Sequence, residues 1–169
     1  MDYQKIFEEL SRNRQVFNEL LHGVSKEQFH WKSQPGKWCL LEIVCHLYDE
    51  EREDFRARLK HVLESPGAQL PSIDPVGWVT ERKYLQQDYE DRLKKFLEER
   101  TQSVAWLQSL SNPPWYNAYR HPKFGAMTGK MFLTNWLAHD YLHIRQITRS
   151  KFEYLQQVSA ETLSYAGKW

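Results

Sequence analysis

Four separate stretches of this chain carry apolar residues three or four apart, the spacing that paints one side of a helix. The first, roughly Tyr3 to His22, lines up Ile6, Phe7, Leu10, Phe17, Leu20 and Leu21, and Gly23 follows as a stop. The second starts near Cys39 and runs to about Glu64, with Leu40, Ile43, Val44, Leu47 and Phe55 on its apolar side; Ser65-Pro66-Gly67 ends it. The third covers roughly Glu81 to Leu110, with Tyr89, Leu93, Phe96, Leu97, Val104 and Leu107 in register, closed by Asn112-Pro113-Pro114. The fourth begins where Thr128 can cap it and runs to about Leu155. No strand pair, low-complexity tract or true repeat is visible. Each amphipathic helix must bury one side, and four of them do so together as a bundle. The expected fold is all-α: a four-helix bundle with long connections, in one domain spanning residues 1–169.

The connections carry their own signals. Ser25 and Gln28 stand at capping-box spacing, which places a short turn in the first connector. From Pro66 to Val79 the chain holds three prolines and two glycines, a long link of the kind that is often functional or mobile. A second link, WYNAYRHPKFGAM, leads into the fourth helix. Composition narrows the partners. A formal net charge of +1 argues against a nucleic-acid binder, which concentrates basic charge. No window is apolar enough for a bilayer span, and MDYQKIFEEL lacks an apolar signal core, so a cytoplasmic protein with no membrane partner is expected. Cys39 and Cys45 diverge on one helix and read as reduced thiols.

The fourth helix raises the functional question. Successive helical residues turn by about 100°, so Phe132, Trp136, His139, His143 and Ile147 fall on one inward stripe. Two imidazoles four residues apart stack one turn apart, close enough to share an ion. A structural role for such a pair is the alternative. On the second helix, His46 lies among apolar residues in EIVCHLYDEE and can also face inward. Three unpaired core imidazoles would each carry a desolvation cost, and one divalent cation would satisfy them all. HDYLH also resembles the zinc-protease pattern, with Asp140 where that pattern has Glu. His22, His30, His61 and His121 lie at helix ends, in connectors or on charged surface.

Two segments carry a family resemblance. GKWCLLEIVCHLYDEE sets a Gly and a Trp near the helix start and a His eight residues after the Trp. FGAMTGKMFLTNWLAHDYLHIRQI opens on Gly and Thr and continues as HDxxHxxQ. In order and spacing the two resemble the DinB/YfiT-like family, over most of the chain. The resemblance implies a four-helix bundle that commonly forms a homodimer and holds a divalent metal on His46, His139 and His143. Relatives with that pattern include thiol S-transferases that use bacillithiol or mycothiol, and a mycothiol-dependent isomerase. Cys39 departs from the pattern, which often has Ser there; Glu42, three residues on, stands at the capping-box position.

Three neutral imidazoles leave a bound ion an open position, as at catalytic zinc. Such an ion acidifies water or holds a thiol as thiolate, and zinc or nickel suits the ligand set. The first expectation is therefore a metal-dependent thiol S-transferase acting on a small molecule with a low-molecular-weight thiol. The alternatives are a metal-dependent hydrolase using water, or a non-catalytic metal-binding dimer. Glu50, one turn beyond His46 in the run DEERED, is the candidate catalytic group: it can orient His46, move a proton or add a ligand. Gln146, close to His139 around the helix, is the candidate substrate-binding residue. Asp140 is placed to pair with an Arg or Tyr, and Trp136 to pack.

Overall fold

The computed structural model describes residues 2–167. Its helices are α1 (Tyr3–Leu21), a short α2 (Lys26–His30), α3 (Leu40–Asp49), α4 (Ala57–Glu64), a single-turn α5 (Trp78–Glu81), α6 (Tyr89–Ser109) and α7 (Gly129–Ser159). A π-helical segment, Glu50–Arg56, joins α3 to α4 into one continuous rod. Caps start the long helices where the sequence offers a short polar side chain. Asp2 accepts from the Gln4 amide, Asp88 from the Asp91 amide and Thr128 from the Met131 amide. Cys39 does lack Ser's hydroxyl, but the Glu42 carboxylate accepts from the Cys39 amide at 2.9 Å.

Both α1 and the α3–α4 rod pack against α6 and α7, so the helices that follow one another first in sequence sit diagonally across the bundle. The core divides into two apolar groups. One holds Phe17, Leu21, Leu40, Leu47, Phe96 and Ile147; the other holds Leu10, Phe55, Leu59, Leu107, Leu133 and Trp136. On every rod a buried polar residue falls between them: Asn13 on α1, Glu51 on the π segment, Arg100 on α6 and Asp140 on α7. Arg100 uses all five of its N–H groups there. It meets Glu51 at 2.9 Å twice, Asp140 at 2.7 Å twice and the Leu10 carbonyl at 3.2 Å. Asn13 donates to Asp140 and the Trp136 indole donates to Glu51.

Three expectations need correction. The third helix does not begin near Glu81. Trp78–Glu81 is a separate turn, Lys83 reverses the chain at φ 50°, Tyr84–Gln86 forms a 3₁₀ turn, and Asp88 caps a new helix. Leu85, which lies in the expected helical span, is half exposed. Second, a strand pair does exist. Ala118–His121 (β1) pairs antiparallel with Gly125–Thr128 (β2), from Ala118 opposite Thr128 to His121 opposite Gly125. The His121 Nδ1 accepts from the Lys123 and Phe124 amides, and Gly125 takes φ 71° to close the turn. The hairpin delivers Thr128 to the start of α7. There Gly129 lets the first turn sit on α4: an added Cβ would lie 2.9 Å from Leu63 Cδ2. Third, α7 runs past Leu155 to Ser159; Lys168 and Trp169 of the tail lie outside the described residues.

Candidate metal centre

The inward stripe of α7 and the last turn of α3 face each other just beyond the polar layer. His143 and His46 are buried and His139 is half-buried. Their Nε2 atoms converge: His46 to His139 is 3.2 Å and His143 to His139 is 3.0 Å. One donor nitrogen from each ring lies within 4.8 Å of the other two. The rings are walled by Trp38, 4.8 Å from His46, and by Phe55, 4.9 Å from His139.

Two physical tests ask whether these residues fit a cation. The first concerns protons. Burial pushes His46 down to about 3 and His139 to about 2, with the neighbouring imidazoles adding to the effect; burial also lowers His143. All three rings are neutral at neutral pH, the form that offers a lone pair. The second concerns hydrogen-bond capacity. The His143 Nδ1 lies 2.8 Å from the Gln146 side-chain oxygen, which only accepts, so in the neutral ring the proton sits on Nδ1 and Nε2 is bare. His139 Nε2 then stands between two nitrogens with either one proton or one lone pair. It can complete one of the two contacts, not both. His46 Nδ1 is buried with no hydrogen-bond partner among the described residues. A cation resolves the conflict: nitrogens about 2.0–2.1 Å from a tetrahedral ion lie roughly 3.3 Å from each other. The polar layer beside the triad holds one cation, Arg100, against two carboxylates, Glu51 and Asp140, an imbalance that also favours a positive guest. The triad is a site capable of coordinating a divalent metal ion.

The other expected site residues lie as follows. Glu50 is buried, 4% exposed, but it does not join the three-nitrogen cluster. Its carboxyl bonds to Asp54, one Glu50 oxygen has no partner, and burial with the Asp54 charge beside it pushes Glu50 up to about 9. Gln146 locks the His143 ring and also lines a cleft of about 210 Å³ with Trp38, Lys37 and Arg149. Trp38 packs on His46 and Gln146 bonds to His143, so these two residues separate the cleft from the triad. Asp140 pairs with Arg100, and Trp136 packs against Phe55 while donating to Glu51. His30, His61 and His121 bond to nearby backbone and stay outside the cluster. Arg100 and Asp54 escaped the sequence reading, because both sit in charged runs that look solvated.

Fold and site together define a class: a four-helix bundle whose facing helices present three neutral imidazoles to one point. The chain belongs to the DinB superfamily, whose family model matches residues 9–147. Among solved structures it is similar to YfiT from Bacillus subtilis, described as a probable metal-dependent hydrolase with an unusual four-helix bundle topology. The two superpose with a TM-score of 0.78 at 18% identity, covering 95% of this chain and 89% of that one. No curated protein matches the chain. Among the described residues no helix is long and apolar enough to cross a membrane.

Proposed function

We infer that the protein is a metal-dependent hydrolase built on His46, His139 and His143, with zinc or nickel as the resident ion. The observation that carries this reading is the convergence of three neutral donor nitrogens beside a cleft. A divalent ion held there would act as a Lewis acid on a water or a substrate oxygen. The description of YfiT as a probable metal-dependent hydrolase supports the same chemistry.

The chain's own residues take three tasks in this reading. Gln146 holds His143 in the tautomer that leaves Nε2 bare, and it meets the substrate where it lines the cleft. Trp38 and Phe55 keep water away from the backs of the rings. Glu50, protonated at neutral pH, is a proton donor rather than a base, with Asp54 holding its carboxyl in place. The substrate is a small molecule. The assembly is a homodimer, for which exposed Tyr141, Leu142, Leu155 and Val158 on α7 offer apolar surface; light scattering that shows only monomer at high micromolar concentration would remove this part.

Metal-loaded protein should turn over ester or amide substrates without added thiol, and His46→Ala should abolish the rate. Turnover that appears only when a low-molecular-weight thiol is added would replace water by that thiol as the nucleophile and make the protein a thiol S-transferase. Bound metal with no turnover under either condition would leave a metal-binding module.

A further inference from the structure

The link between α4 and α6 builds a second concave site, on a side of α3 that the triad does not use. Its Trp78–Gln87 portion packs back on α3 and encloses a cavity of about 220 Å³. Three arginines line it, Arg52, Arg82 and Arg92, with Asp49, Gln87 and the buried Cys45. Two of the three are neutralised. Asp49 takes Arg52 at 3.3 Å and Arg82 at 2.9 Å; Glu53 takes Arg52 at 3.0 Å and both terminal nitrogens of Arg82 at 2.8 Å each. The Tyr84 hydroxyl donates to Asp49 and fixes that carboxylate.

Arg92 is different. Among the described residues its hydrogen bonds run only to the neutral Gln87 side-chain oxygen, at 2.6 and 3.2 Å. It shares the Tyr48 ring with Arg52, the two guanidinium carbons lying 5.2 and 4.2 Å from the ring centre. The Arg52 Nε is buried with no hydrogen-bond partner. So two like charges converge on one ring, and the three guanidiniums of the cavity face two carboxylates, Asp49 in its wall and Glu53 beside it. Lys83, between Arg82 and Tyr84, takes the left-handed conformation at φ 50°, uncommon for a residue with a side chain. Such strain persists where surroundings hold it, and binding sites are a common place for it.

We propose that this cavity binds a small oxyanion, a carboxylate or phosphate group, with Arg92 as its counter-charge and Arg52 and Arg82 at its edge. The guanidinium fork matches a pair of oxygens in one plane. The volume admits a small acid and excludes a folded peptide or a nucleic-acid strand. The site stands independently of the triad.

The test is a titration of full-length wild-type protein with inorganic phosphate, and separately with acetate, at constant ionic strength with chloride as the control. The arginine Nε–H and Trp indole N–H resonances report where the anion goes. The expected result is saturable shifts at Arg92 and Arg52 with at least one oxyanion, none with chloride, and an unmoved Trp38, which packs against the other site. Phosphate alone or acetate alone identifies which oxyanion fits. Arg92→Gln should weaken the binding by about tenfold or more, the loss of a charge-assisted pair. No saturable shift with either oxyanion, an equal response to chloride, shifts confined to Trp38, or full affinity in Arg92→Gln would each overturn the proposal. If Arg92→Gln does not fold, the wild-type titration decides by itself.

Discussion

At the scale of single residues, the site depends on which atom carries a proton. Gln146 accepts from His143 Nδ1 and so frees Nε2 for an ion. Replacing it with Leu should leave the fold intact and lower metal affinity by about 10–100-fold, the usual effect of removing a group that orients a ligand. Competition against a chelating dye measures this, and an unchanged affinity would show that Gln146 does not orient His143 for a metal. Glu50 makes the opposite kind of statement. Its folded value, about 9, lies above its ordinary 4.5, so the folded protein keeps a proton that the unfolded chain releases. The associated stability is fully present below pH 4.5 and is lost as pH rises toward 9. Against Glu50→Gln, wild type should lose stability progressively as pH rises through that window in urea unfolding. Parallel stability curves for the two proteins would contradict the buried Glu50–Asp54 pair.

Individual helices show how far a sequence can be read. The apolar stripes placed four long rods, and the stripe of α7 put His139 and His143 on the inner face because helical geometry leaves no other direction for them. His46 followed from the same spacing on α3. The π segment was not legible: no Pro or Gly marks Glu50–Arg56, yet its wider turn brings Glu50, Glu51 and Phe55 inward together. Arg100 was hidden for a related reason. It stands in the polar run EERTQS, and only the partners on three other elements show why it is buried. The hairpin depends on contacts between the His121 ring and the backbone, which no alternation of apolar residues announces. Arg100 is also where the bundle is most exposed to damage. Arg100→Ala strands Glu51 and Asp140 in the core and should cost about 3–5 kcal/mol in denaturant unfolding. A loss under about 1 kcal/mol, the range of an exposed ion pair, would show that the layer is not closed as described.

For the whole molecule, an ion on the triad would tie α3 to α7, two rods that are distant in sequence. A ligand that binds only the folded state stabilises it, by about 2.7 kcal/mol when free ligand is 100 times its dissociation constant. Added zinc or nickel should therefore raise the unfolding midpoint of wild type and leave His143→Ala where it was. Whether three imidazoles from two helices hold one ion can be measured more directly. Untagged protein purified without added metal can be analysed for metal content beside His46→Ala and His143→Ala. Wild type should carry about one divalent transition-metal ion per chain, and either variant essentially none. Wild-type protein that carries no metal and takes up none on incubation, or variants that carry as much as wild type, would contradict it.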